Sequence, residues 1–162
     1  MITIIRATQD DAKRLETIAR PIWQEHYTPI IGAEQVAYML EKFQSEAVVK
    51  QQIEQGFEYY IVLKDQQAAG YIGLDVKDDR LFISKFYLSS DFRGQGIGHK
   101  MLAHCNDVAN QKGLSTLKLT VNKYNFAYQA YLKMGFKNVD SVVADIGNGY
   151  VMDDFILEKA VS

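Results

Sequence analysis

The chain has 162 residues, 48% of them hydrophobic and 23% charged, with a formal net charge of −2. That profile fits a globular protein with its own core and excludes a disordered chain. The lack of a basic excess excludes a nucleic-acid backbone as the main partner. No run approaches the roughly 18 apolar residues that a membrane span needs. The amino terminus lacks the basic-then-apolar pattern of a signal peptide, and the one cysteine, Cys105, can form no intrachain disulfide. A soluble, cytoplasmic protein of one domain, residues 1–162, is expected.

Thr3 to Arg6 reads as a short strand. Thr8 with Asp10 and Asp11 marks a helix start, with acids in the first turn. Leu15, Ile18 and Ala19 supply its apolar face, and Pro21 is expected to break or redirect it. The aromatic stretch from Trp23 to Tyr27, followed by Pro29 and Gly32, reads as a corner between helices or the rim of a site. Ala33 to Gln55 has helical spacing in two segments, with Ser45 as a cap between them and Gly56 as the stop. Residues 57–64, 69–76 and 80–88 are β-favouring runs joined by short polar turns, the pattern of an antiparallel meander.

A glycine-rich turn, Arg93 to Gly98, follows the third run. Beyond it Ile97, Met101, Leu102, Cys105, Val108 and Ala109 recur at helical spacing, and Lys112-Gly113 closes that helix. Residues 116–121 form another strand, 127–133 a short helix ended by Gly135, and 136–146 and 150–157 a hairpin about Gly147-Asn148-Gly149. Strand, glycine turn and helix in that order gather free N–H groups and the positive end of a helix dipole, which suits a phosphate.

Three glycine motifs compete for the turn. A P-loop fails because Lys100 is followed by Met101 rather than Ser or Thr. The dinucleotide pattern fails because Gly98 comes one residue too early after Gly94 and Gly96. The pattern that fits is R-x-x-G-x-G, as Arg93, Gly96 and Gly98.

The stretch LSSDFRGQGIGHKML resembles the pyrophosphate-binding motif of the GNAT superfamily of N-acetyltransferases. Tyr131-Leu-Lys133-Met-Gly135-Phe136 resembles that family's Y-x-K-x-G-F, at a matching separation. One departure is visible: the family often has Asn seven residues before the tyrosine, whereas here Tyr124 holds that place and Asn125 lies six before. The resemblance implies a mixed, mostly antiparallel α/β sheet of six or seven strands flanked by helices. It also implies that the fourth and fifth strands splay where the cofactor enters.

Acetyl-CoA is the implied cosubstrate, with no metal. Its pyrophosphate would take backbone amides from Arg93, Gly94, Gln95, Gly96, Ile97 and Gly98, and its pantetheine would pair with Phe86, Tyr87 and Leu88 as an added strand. Asn125 and Lys133 are further cofactor contacts by resemblance. Acetyl transfer needs a neutral amine, a stabilised oxyanion and a proton for the departing thiolate. Tyr131 is the expected proton donor. The general base is not readable from the residues; Glu25, His26, Glu54, Glu58 and Asp75 have suitable chemistry.

Cys105 reads as a core residue, His104-Cys105 lacks further ligands at metal spacing, and His99 reads as an exposed helix residue. Trp23, His26 and Tyr27 are the candidates for the acceptor side, with a packed corner as the alternative. The stretch IARPIWQEHYTPIIGAEQVAYMLEKF is similar to the PaiA-like branch, which includes polyamine acetylation. The expected partner is a small amine or a peptide, with no nucleic acid or membrane; a homodimer is left open. A protein amino terminus or an amino acid-like amine is the rival acceptor, and a non-catalytic acyl-CoA sensor the rival function.

Overall fold

A computed structural model describes all of residues 1–162. Seven strands form a mostly antiparallel sheet with helices between them. They are β1 (Ile2–Arg6), β2 (Glu58–Lys64), β3 (Gln67–Lys77), β4 (Arg80–Leu88), β5 (Thr116–Asn122), β6 (Lys137–Gly147) and β7 (Tyr150–Ala160). The helices are α1 (Ala12–Ile31), α2 (Ala33–Gln44), α3 (Glu46–Glu54), α4 (Ile97–Gln111) and α5 (Ala127–Lys133). The chain divides into two compact units, Met1–Asp75 with Ile83–Cys105, and Val76–Phe82 with Asn106–Ser162.

In the first unit the strands run β1-β2-β3-β4. The pairs β1–β2 and β2–β3 are antiparallel, with Ile5 opposite Ile61 and Tyr60 opposite Ile72. The tight turns are made by residues in left-handed backbone, Asp65 and Gln66 between β2 and β3, Asp78 and Asp79 between β3 and β4. Thr8 caps the 3-10 turn Gln9–Asp11 that leads into α1, through a reciprocal box with Asp11.

Pro21 does not break α1, contrary to the expectation from sequence. The helix runs through both Pro21 and Pro29. Both prolines are exposed, so water can serve the carbonyls that lose a partner. A mid-helix proline costs about 3 kcal/mol, and burying each of Leu15, Ile22 and Trp23 contributes about 1.5–3 kcal/mol, so packing outweighs the local rule. Gly32, at φ 86°, ends the helix, and Trp23 to Ile31 is helix rather than a corner. Ser45 does separate α2 from α3, in extended backbone but without a side-chain cap bond.

A buried polar layer lies inside this unit. The Trp23 indole donates to the Tyr71 hydroxyl at 3.1 Å, which donates to Gln44 Oε1 at 2.8 Å. Lys85 Nζ donates to the Phe43 carbonyl at 2.8 Å and to the Tyr59 hydroxyl at 2.7 Å, and Tyr59 donates to Gln52. The last turns of α2 and α3 are thereby tied to strands.

In the second unit the order is β4-β5-β7-β6. The parallel β4–β5 ladder covers two pairs, Leu81–Leu117 and Phe82–Lys118. The antiparallel β5–β7 ladder runs from Thr116–Ala160 to Asn122–Asp154. Leu117, Leu119, Val121 and Leu157 are buried on one face, where Tyr128 of α5 lies against Phe155 at 4.7 Å between ring centroids. Gly135, at φ 102°, ends α5 where a Cβ would stand 3.1 Å from Lys159 Cε.

Candidate active site

The glycine turn is built as an open cradle. β4 ends at Leu88, a single 3-10 turn spans Ser90–Phe92, and α4 begins at Ile97. Gly94 and Gly96 sit at φ 76° and 78°, backbone that side-chain-bearing residues rarely adopt. A Cβ at either would meet nothing within 4 Å, so the space over the turn is clear for a ligand. Arg93 to Gly96 are exposed, while Ile97 is buried and anchors the first turn of α4. The first amides of α4 lack intrahelical acceptors and form the positive end of the helix dipole. The Arg93 guanidinium donates to the Leu88 carbonyl at 3.4 Å, which ties the turn back to the end of β4.

That strand end has one side fixed. The Ser89 amide donates to the Ala69 carbonyl of β3 at 2.8 Å, and a Cβ at Gly70 would run into the Tyr87 carbonyl oxygen. Residues 87 and 89 therefore direct their backbone groups to β3. By alternation Phe86 and Leu88 direct theirs to the other edge, where the Leu88 carbonyl accepts from Arg93 and an added strand or an amide-bearing chain could take that place.

The aromatic residues of α1 gather at the same strand end. Trp23 and Tyr27 have ring centroids 4.4 Å apart, and Tyr87 of β4 lies 5.5 Å from Trp23 and 6.2 Å from Tyr27. The Tyr27 and Tyr87 hydroxyls are 3.4 Å apart, and His26 stands edge-on to Tyr27 at 4.8 Å. Trp23 itself is 3% exposed with its indole N–H given to Tyr71, so it backs the cluster, whereas Tyr27 and His26 are half-buried at its margin. Glu25 accepts a 3.0 Å bond from Ser90 and thus links α1 to the segment that enters the glycine turn.

In the second unit, Tyr131 is half-buried on α5, with its ring edge-on to Phe136 at 5.7 Å. Asn125 is buried and acts in the turn before α5, its Oδ1 accepting from the Ala127 amide at 2.8 Å. Lys133 is exposed in the last turn of α5. Among the candidate bases, Glu58 is engaged by Arg6 at 2.9 Å and by the Tyr60 hydroxyl at 3.0 Å. Glu54 is exposed on α3 and Asp75 half-buried on β3. Cys105 is fully buried, and burial pushes its thiol up to about 12, so it is a core residue. His99 is exposed.

Two buried ionisable groups escaped the sequence reading. Lys85 is 5% exposed, and burial pushes its ammonium down to about 7. Its place was legible, because the period of two puts Lys85 on the face of Leu81 and Ile83. Asp154 is 5% exposed, and burial, aided by the neighbouring Asp153, raises its carboxyl to about 6. Nothing local in the run Tyr150 to Leu157 marks it, since its burial depends on pairing with two other strands.

The chain matches the acetyltransferase (GNAT) domain over residues 27–151. It is 25% identical, across 99% of its own length and 98% of the other's, to a protein of Lactobacillus delbrueckii subsp. lactis described as an uncharacterized N-acetyltransferase in the pepI 3' region. Its fold is similar to that of the PaiA N-acetyltransferase of Thermoplasma acidophilum solved with coenzyme A, with TM-score 0.84, 23% identity and 99% of both chains covered. It is also similar to the ribosomal-protein-S18-alanine N-acetyltransferase of Escherichia coli, with TM-score 0.69, 20% identity, and 100% of this chain and 95% of that one covered. The chain therefore belongs to the GNAT family of acetyl-CoA-dependent acetyltransferases.

Proposed function

We propose that this protein moves an acetyl group from acetyl-CoA to a primary amine by direct attack in a ternary complex. The observation that carries the reading is the cradle of Gly94 and Gly96, open above and backed by the first turn of α4. Its amides from Arg93 to Gly98 hold the pyrophosphate of acetyl-CoA, and the outward backbone groups of Phe86 and Leu88 pair with the pantetheine amides. The reactive thioester is what acetyl-CoA supplies. Tyr87 and Leu88 orient it, and Tyr131 gives a proton to the thiolate as it leaves. Asn125 keeps the loop before α5 in place, and Lys133 adds positive charge toward the cofactor phosphates.

Tyr27 and His26, backed by Trp23, border the acceptor. Electron-rich ring faces favour an alkyl ammonium chain, about 0.5–2 kcal/mol for each well-placed contact. That preference, with the likeness of residues 18–43 to the PaiA-like branch, supports a polyamine as the acceptor. The likeness in fold to the S18-alanine acetyltransferase supports a protein amino terminus as the second reading. The reaction is placed in the cytoplasm.

The test is CoA release from acetyl-CoA across a panel of spermidine, single amino acids and short peptides. Turnover of spermidine above the peptides supports the first reading, and the reverse order supports the second. Tight acetyl-CoA binding with no turnover on any amine would establish a non-catalytic acyl-CoA sensor instead.

A further inference from the structure

We propose that Asp154, with Asn122 opposite it, is a binding site for the ammonium group of an alkyl amine. The proposal rests on the amine-acetylating function above in its choice of ligand, and on strand register for its geometry.

Residues directly opposite in a ladder share a face of the sheet. Asp154 is opposite Asn122 of β5 on one side and Val142 of β6 on the other. The next row on that face is Asp140, Ile156 and Thr120. The other face carries Val121 and Phe155 beneath α5. Lys123 belongs to that other face, since its Nζ pairs with Asp153 at 2.9 Å and stands over the Phe155 ring at 5.5 Å. Lys123 is thus paired with the adjacent aspartate, and its charge only partly offsets the burial of Asp154.

Asp154 is left in an unusual state. It is 5% exposed, and its Oδ1 has no hydrogen-bond donor. A buried carboxylate without a partner is costly to keep. None of the charged groups that share its face forms an ion pair with it. Asp140 is exposed and of like sign, and Glu158, in the row beyond, lies between Lys118 and Lys137 and is held by Arg80 at 3.1 Å. The site therefore offers a buried acceptor atom that no side chain serves.

The chemistry selects the ligand. One carboxylate and one amide are too few oxygens for calcium or magnesium, which take six or more ligands. A compact ammonium needs only a few acceptors. Asp154 Oδ1 supplies the charged one, and Thr120 and Asn122 supply neutral oxygens on the same face. Val142 and Ile156 offer apolar surface to the methylenes that follow.

The test reads binding without needing turnover. The Asp154 carboxyl carbon, labelled with carbon-13, is followed by NMR while propylammonium chloride is added, with propanol as the uncharged control. The proposal expects a saturable shift with propylammonium and none with propanol. In the Asp154→Asn protein, an isosteric change, propylammonium binding measured by the neighbouring amide resonances should weaken about tenfold or more, a loss of roughly 1.4 kcal/mol. The absence of a saturable shift, an equal shift with propanol, or unchanged binding in the variant would overturn it. A saturable shift in a protein that acetylates no amine would keep this site and remove the acetyl-transfer function; turnover without the shift would do the reverse.

Discussion

The Lys85 ammonium lies 2.7 Å from the Tyr59 hydroxyl, in a slot that exists because residue 73 has no side chain. A Cβ at Gly73 would stand 2.7 Å from Lys85 Cγ and 3.1 Å from the Tyr59 ring. The lysine stem therefore crosses β3 to reach the end of α2, one residue before the strand segment assigned to pantetheine. Burial holds the folded-state pKa at about 7, against an ordinary value of 10.5. Between those two values the unfolded chain binds more protons than the folded one, so stability should rise as pH rises through that window. The slope should be about 1 kcal/mol per pH unit. Urea unfolding at pH 7 and pH 9 measures it, and Lys85→Met should abolish the rise.

Asp154 gives the opposite sign. Its carboxyl is raised from 3.8 to about 6, so between those values the folded chain binds the extra proton. Stability should therefore fall as pH rises through about 4 to 6, and the cost persists above it. Asp154→Asn should flatten that fall and raise stability at pH 7 by about 1 kcal/mol, the scale of relieving an unpartnered buried polar group. Paired denaturation curves at pH 4.5 and pH 7 decide the point; a variant less stable than the wild type at pH 7 would be the contrary result.

Gly96 should be intolerant of a side chain for two separate reasons. Its φ of 78° strains any Cβ-bearing residue by about 1–2 kcal/mol, and the Cβ would fill the cradle. Gly96→Val should weaken acetyl-CoA binding about tenfold or more. Calorimetric titration with acetyl-CoA, beside a melting curve for the variant, separates lost binding from lost fold. Unchanged affinity would remove the pyrophosphate from this turn.

Tyr131→Phe keeps the ring against Phe136 and removes only the hydroxyl. As the proton donor to the thiolate, its loss should lower kcat about 100-fold, with the KM for acetyl-CoA nearly unchanged. A rate within twofold of wild type would show that another group, or water, supplies the proton.

Local signals carried much of the structure. The period-two runs of β2 to β4 lie where the sequence puts them, and so does the break at Ser45. Gly113 and Gly135 end their helices because each sits at positive φ. Pro21 misleads because a proline reports only the backbone next to it, whereas α1 is held by Leu15, Ala19, Ile22 and Trp23 along its buried face. The site was legible in the same uneven way. Arg93 to Gly98 is a contiguous motif, so it could be read in one pass. Asp154 became visible only through its partners Asn122 and Val142, which belong to strands 32 and 12 residues away in sequence. Period two alone cannot say which face of such a strand is buried.

The central claim is direct transfer of acetyl from acetyl-CoA to an amine. It is tested by incubating the protein with acetyl-CoA labelled in the acetyl group, first alone and then with spermidine, and following the label on protein and amine by mass spectrometry. The account predicts no label on the protein in the absence of amine, and labelled acetylspermidine with an equal amount of free CoA when spermidine is present. A labelled protein that passes its acetyl group to the amine, or free CoA without any acetylated amine, would contradict it.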